Sequence, residues 1–292
     1  MAQPLRIERD DTGPAGGVVT IWLDDPERSV TVLNRSVIER LDMALDQLGT
    51  ELNGLVLATS HGRVFVAGAD LAEIDGLSDD ELDAYLSLGQ RVFGRIAALP
   101  CCTVAAINGA ALGGGLELAL HCDVLLGMTP EKPDRPYQVG LPEASLGLCP
   151  GWGGTNTLPA RIDPSIAIKA TAQGGTFPVA EAAELGLIEQ LYANREALHA
   201  AARERAAAGS SAANEPLNIS SPDVTAGVRD VMDAVEKDLP DTDAARAVAE
   251  CVKAGLSGGW RQALACERER LIALRKTETA RERIKAFFDR SR

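Results

Sequence analysis

The sequence predicts an α/β fold with a mostly parallel sheet, and three observations carry that expectation. Residues 18–23 (VVTIWL) and 55–59 (LVLAT) are β-branched or continuously apolar, as strands covered on both faces are. Between them Val37, Ile38, Leu41, Leu45 and Leu48 recur at helical spacing behind Asn34, a good N-cap. A second apolar run, 103–107, feeds a turn holding Gly109, Gly113, Gly114 and Gly115, after which Leu116, Ala119 and Leu120 again read as a helix. Strand, helix and strand in alternation is the βαβ pattern.

The other elements can be taken in chain order. Residues 5–9 and 18–23 read as a hairpin around the breaker-rich DDTGPAGG. The run 64–71 (VFVAGADL) reads as a strand broken at Gly68, with Asp70 placed to cap the next element. Ser78-Asp-Asp-Glu81 is a capping box opening a long helix that Pro100 ends. Leu112 is grouped with the helix after the glycine turn. The proline-bearing TPEKPDRP (129–136) reads as a surface loop. A second glycine-rich turn, LGLCPGWGGT, precedes a short helix; 180–185 reads as a helix closed by Gly186, and 188–192 as a last strand. From Glu196 the pattern is helical almost to the end, apart from 209–223 (GSSAANEPLNISSPD), which has linker composition. The expected division is a core over 1–208 and a linker with a C-terminal helical region over 209–292.

Composition narrows the function classes. The chain of 292 residues has 46% hydrophobic and 24% charged residues, an ordinary globular mix. Its 29 Lys+Arg against 42 Asp+Glu give a net charge of −13, which argues against a nucleic-acid or anionic-membrane partner. Six cysteines without a C-x-x-C pair, and no apolar leader or membrane-length run, point to a reduced, cytoplasmic protein. His61, His121 and His199 are scattered, so no metal site is expected, and His121 reads as a packed helix residue. The tail 267–292, with nine Lys/Arg against five Asp/Glu, reads as a solvated helix face or as a contributor to phosphate binding.

Three familiar motifs fail. No lysine follows Gly113–Gly115 as a P-loop requires; Leu118 stands where a dinucleotide fingerprint needs glycine; and Ser145 lies in EASLG, not in a nucleophile elbow. That leaves two glycine turns, each with a carboxylate beside it, Glu117 and Glu143. A glutamate in a first helical turn is favourably placed toward the helix dipole whatever its function. Joined to the other turn, it fits a reaction through an enolate, which needs two backbone donors at a carbonyl oxygen and carboxylates near the adjacent carbons.

The segments 65–71 (FVAGADL), 106–117 (AINGAALGGGLE) and 141–155 (LPEASLGLCPGWGGT), in that order, closely resemble the signatures of the enoyl-CoA hydratase/isomerase (crotonase) superfamily. The resemblance extends over about 18–191, with 280–288 (ARERIKAFF) similar to the family's C-terminal helix. The run 25–29 (DPERS) with VAGAD most resembles the hydratase part of multifunctional fatty-acid oxidation proteins. It implies a crotonase-like spiral of ββα units with C-terminal helices that assemble homotrimers or hexamers. It further implies an oxyanion hole formed by the N–H groups of Ala69 and Gly114, and coenzyme A contacts along Ala67, Gly68, Asp70 and Leu71. Glu117 would deprotonate the attacking water and Glu143 handle the α-carbon proton, and Trp152 would line the acyl pocket or simply pack. No cofactor beyond the coenzyme A of the substrate is implied. The expected activity is that of a lyase, an enoyl-CoA hydratase of fatty-acid β-oxidation. The alternatives are an isomerase of the same fold or a non-catalytic acyl-CoA-binding subunit. One departure is plain: where the family commonly has Gly-Gly-Thr-Gln-Arg-Leu, this chain has GGTNTL (153–158), with Thr157 in place of the arginine.

Overall fold

A computed structural model describes residues 3–10, 16–49, 51–209 and 214–290. Most of the hairpin turn DDTGPAGG and the start of the 209–223 stretch lie outside the described residues. The chain divides into two compact units. One comprises Met1–Ala69, Arg91–Val139 and Phe177–Pro216, the other Asp70–Gln90, Gly140–Thr176 and Leu217–Arg292.

In the first unit, β1 (Arg6–Asp10) pairs antiparallel with β2 (Val18–Trp22). Four strands then add in parallel: β3 (Gly54–Ala58), β5 (Cys102–Ile107), β7 (Val124–Met128) and β10 (Gln190–Tyr192), in the order β1-β2-β3-β5-β7-β10. β3, β5 and β7 are buried at every position, which explains their continuous rather than alternating apolar sequence. One face packs Val56, Ala58, Val104, Ala106 and Leu126 against Leu198, Ala202 and Ala206 of α8 (Arg195–Ala208). Helix α1 (Arg35–Asp46) starts where the sequence places it, the Asn34 side chain accepting from the Val37 N–H at 2.8 Å.

A second sheet has the order β4-β6-β8-β9, from β4 (Val64–Val66), β6 (Ala110–Leu112), β8 (Gln138–Gly140) and β9 (Thr176–Pro178). Leu112 therefore belongs to a strand and not to the helix after it. Three residues between two glycine positions are too few to show a period, and β6 exists because β4 pairs with it in parallel. α4 (Gly114–Leu120) begins two residues beyond Leu112. α7 (Val179–Glu184) follows β9 directly.

The second unit is mainly helical. α2 (Leu71–Gly76) is capped by Asp70, whose carboxylate accepts from the Ala72 and Glu73 N–H groups. α3 (Asp79–Ala97) opens on the expected capping box: Glu81 accepts from the Ser78 N–H at 2.9 Å, and the Ser78 hydroxyl accepts from the Glu81 N–H at 3.3 Å. A 3₁₀ turn at Pro142–Leu146 carries Glu143. α5 (Gly154–Thr157) is the expected short helix, and α6 (Pro164–Gln173) is an additional one, capped by Asp163. α9 (Pro222–Lys237) begins inside the linker-like stretch and buries Val228, Met232 and Val235 against Ile168, Ile219, Ala249 and Val252.

α10 (Asp243–Leu274) is followed by α11 (Glu278–Arg290), and α10 is interrupted at Gly259, where φ is 76° and ψ −174°. That backbone region is essentially open to glycine alone. The interruption folds the run back on itself. Cys251 and Cys266 would stand roughly 22 Å apart along a straight helix, yet their sulfurs are 3.3 Å apart.

Candidate active site

The candidate oxyanion donors lie where β4 ends beside the start of α4. After Val66 the Ala67 N–H donates to Thr31 O at 2.9 Å, the Gly68 carbonyl accepts from the Leu33 N–H at 2.8 Å, and Ala69 bridges Leu33 in parallel. Gly68 has φ of +110°, which turns the chain out of the strand. A Cβ on Gly68 would stand 2.9 Å from Leu112 O and 3.8 Å from Gly114 N, so the two segments named by the sequence do meet. Ala69 is half-buried, and Gly114 is buried. Among the described residues neither the Ala69 nor the Gly114 N–H donates within the chain. For Gly114 this follows from its place, because the first N–H groups of a helix have no acceptor in their own turn.

Close approach sets this geometry. A Cβ on Gly115 would fall 2.3 Å from Val66 O and 2.8 Å from Val66 Cβ, so only glycine lets α4 start flush against β4. Glu117 follows in the first turn, 1% exposed. One turn on, His121 Nδ1 lies 2.8 Å from the Glu117 carbonyl oxygen, and its ring meets Phe93 edge-on at 5.7 Å. His121 is thus a packed helix residue, as its spacing suggests.

The other carboxyl group named by the sequence lies in the helical unit. Glu143 is part-buried as a residue, but its Oε2 is fully enclosed with no hydrogen-bond partner. Burial pushes its carboxyl well above the usual range; its own backbone N–H pulls it down, and the charge of Glu267 pushes it further up. Glu267 is completely buried on α10 and accepts three hydrogen bonds from the second glycine turn. These come from the Gly153 N–H at 2.5 Å, the Thr155 N–H at 2.9 Å and the Thr155 hydroxyl at 2.5 Å. Burial raises its carboxyl too, opposed by those donors. Sequence reasoning missed Glu267: it lies 114 residues along the chain from Gly153, and nothing in its local pattern marks it.

Trp152 is 1% exposed; its indole N–H donates to Leu86 O at 3.1 Å, and its ring meets Tyr85 at 5.5 Å. Thr157 uses its hydroxyl on Gly153 O at 3.0 Å. Of the residues expected along coenzyme A, Ala67 is exposed, Gly68 is buried, and Asp70 and Leu71 are half-buried, with Asp70 engaged as the cap of α2.

The sequence profile of the enoyl-CoA hydratase/isomerase family matches residues 13–238. The chain belongs to that family. Among curated proteins, "Enoyl-CoA hydratase domain-containing protein 2, mitochondrial" of Mus musculus is 36% identical over 192 residues. That match covers 65% of this chain and 62% of the mouse protein. Human mitochondrial delta3-delta2-enoyl-CoA isomerase is 24% identical with a TM-score of 0.68, covering 99% of this chain and 98% of that one. The enoyl-CoA hydratase of Bacillus halodurans is 23% identical, also with a TM-score of 0.68, over 97% and 99% of the two chains. These likenesses establish the mixed α/β crotonase-like fold with its C-terminal helices, α10 and α11. Members of this fold include both a hydratase and an isomerase, so the choice between them rests on the side chains. No helix among the described residues is long and apolar enough to cross a membrane.

Proposed function

We propose that the protein is an enoyl-CoA hydratase, adding water across the 2,3 double bond of an acyl-CoA thioester to give a 3-hydroxyacyl-CoA. The observation that carries this reading is the presence of two buried carboxyl groups on the two glycine turns, one of them, Glu143, biased toward its protonated form. Hydration needs both a base and an acid. The Glu117 carboxylate takes a proton from water as its oxygen bonds to the β-carbon. The electron pair moves to the thioester, and the α-carbon then takes its proton from Glu143. Solvent exchange returns each carboxyl to its starting state.

The Ala69 and Gly114 N–H groups receive the thioester oxygen as it gains charge. Loss of one such donor costs about 10²–10³ in kcat. Coenzyme A lies along Ala67, Gly68, Asp70 and Leu71 in this reading, and it is part of the substrate and not a resident cofactor. Copies of the chain assemble as a trimer or a pair of trimers through the C-terminal helices. The six cysteines, all free and buried, suit a reducing compartment, for which we propose the cytoplasm.

A second reading, double-bond isomerisation, is supported by the human isomerase likeness at the same TM-score as the hydratase. The two separate in one experiment, a panel of 2-enoyl- and 3-enoyl-CoA substrates with products resolved by mass, run on the parent, Glu117→Gln and Glu143→Gln. The hydratase reading expects 3-hydroxyacyl-CoA from crotonyl-CoA and a loss of at least about 10²-fold in either variant. Full hydration by either variant overturns the assignment, and turnover of 3-enoyl-CoA without hydroxyacyl product selects the isomerase.

A further inference from the structure

Glu267 has no part in the reaction proposed above, yet it is a completely buried carboxyl group without a counter-ion. Among the described residues no lysine, arginine or histidine lies within ion-pair distance of it. Thr157, two residues beyond Thr155, stands where the family resemblance expects an arginine. A buried carboxylate without a cation is costly unless hydrogen bonds compensate. Here they do: Oε2 accepts from the Gly153 N–H, and Oε1 from the N–H and hydroxyl of Thr155.

The two backbone donors cannot reverse their role. They favour the charged form of Glu267 and disfavour a proton on either oxygen. Glu143 is in the opposite situation, with an enclosed Oε2 that no donor reaches. The turn between them ties the two residues together: the Leu148 N–H donates to the Glu143 carbonyl at 3.0 Å, and the thiol of the next residue, Cys149, lies 3.8 Å from the Glu267 carbonyl. Two buried carboxyl groups so placed share protons unequally, and the better solvated one ionises first.

We propose that Glu267 is a positioning residue, whose buried, hydrogen-bonded carboxylate holds the proton of the pair on Glu143. The assignment of Glu143 as the acid at the α-carbon belongs to the function proposed above, and only the catalytic consequence of this inference rests on it. The protein thereby keeps a protonated carboxyl ready near neutral pH without spending a substrate contact on it.

Of the other charged groups on the elements around the turn that carries Glu143, Glu278, Arg281, Glu282 and Lys285 of α11 are exposed to solvent, and several more are engaged elsewhere. Arg283 of α11 donates to the Ala144 carbonyl at 3.1 Å and the Ser145 carbonyl at 3.4 Å. Lys169 of α6 pairs with Asp238 at 2.7 Å. On α10, Arg268 binds Asp83 and Arg270 binds Glu250. The thiols of Cys251 and Cys266 are pushed up chiefly by hydrogen bonds within the buried thiol cluster and stay neutral. Glu267 is left as the charge that bears on Glu143.

The test is a titration of ¹³C-carboxyl-labelled glutamates in the full-length protein, with Glu143→Gln assigning the Glu143 signal, repeated on Glu267→Gln. The pH–rate profile for crotonyl-CoA hydration is measured alongside. In Glu267→Gln the Glu143 midpoint moves down by about one pH unit or more, a roughly tenfold loss of proton affinity. The alkaline limb of kcat moves down with it, while KM changes little. An unmoved Glu143 midpoint in a folded variant overturns the inference. A midpoint that moves while the rate profile stays put supports the link between the two residues and overturns Glu143 as the acid. Should Glu267→Gln fail to fold, the parent protein decides: two coupled titration steps support the inference, and a Glu143 signal titrating alone in the ordinary carboxylate range overturns it.

Discussion

Adding one methyl group at Gly115 tests the candidate oxyanion hole without removing a hydrogen-bonding group. The new Cβ would lie 2.3 Å from Val66 O, against the 3.4 Å at which ordinary contact begins, so the start of α4 must retreat from β4 by roughly 1 Å. Neither neighbour is a flexible side chain that could swing away. Such overpacking costs about 1–3 kcal/mol, which lowers the melting temperature by about 2–4 °C per kcal/mol in domains approaching this size. The larger effect is on the chemistry. The Gly114 N–H rides on the displaced turn while Ala69 stays bridged to Leu33, and a misplacement of about 1 Å can cost about 10²-fold in rate. In the proposed reaction the donors act on charge that develops in the transition state, so the loss falls on kcat, with KM little changed. The assay is steady-state hydration of crotonyl-CoA by Gly115→Ala beside a melting curve. A variant with parental kcat refutes the placement of the oxyanion hole at Ala69 and Gly114, since that placement depends on the contact between α4 and β4.

Two further outcomes are expected. Arg275 donates to the carbonyls of Ile74 at 2.7 Å and Leu77 at 2.6 Å and pairs with Asp79 at 2.7 Å, its side chain 10% exposed; Arg275→Ala therefore lowers stability by about 1–3 kcal/mol, read as a shift in the urea midpoint, through carbonyls at the end of α2 left without a donor. Glu143, raised in the fold above its ordinary value of 4.5, binds its proton more tightly folded than unfolded. Its contribution is present below that value and is lost as pH rises toward the folded value. Melting curves should then show Glu143→Gln gaining on the parent protein between about pH 5 and neutrality, and a constant difference across that range would contradict the burial of Glu143.

What the sequence revealed and what it concealed divide along a physical line. Signals that act within a few residues read correctly: Asn34 caps α1, Ser78 and Glu81 close their capping box, and Asp70 caps α2. α6 was not read, although Asp163 and Pro164 mark its start and Gly174 its end, because its apolar pattern is weak. β6 could not be read, because its three residues are a strand only through pairing with the neighbouring strands β4 and β8. α9 was hidden by a polar lead-in that resembles a linker, while its buried face is decided by α6 and α10. The segments around Gly68 and Gly114, which meet in the fold, are legible because each motif is contiguous. Glu267 is not, because its meaning comes from a turn far back in the chain.

The break at Gly259 gives that distant carboxylate its own phase. A continuous helix transmits every insertion along its whole length, turning each later side chain by about 100° per added residue. At Gly259 that transmission stops, since the backbone there is not helical. Length changes in the arm carrying Cys251 leave the angular setting of Glu267 untouched. A single residue added between Gly259 and Glu267 would instead rotate the carboxylate away from Gly153 and Thr155. The spacing that sets the angle of the carboxylate therefore runs only from the bend to the acid, while the arm before the bend is held by its own packing against α9.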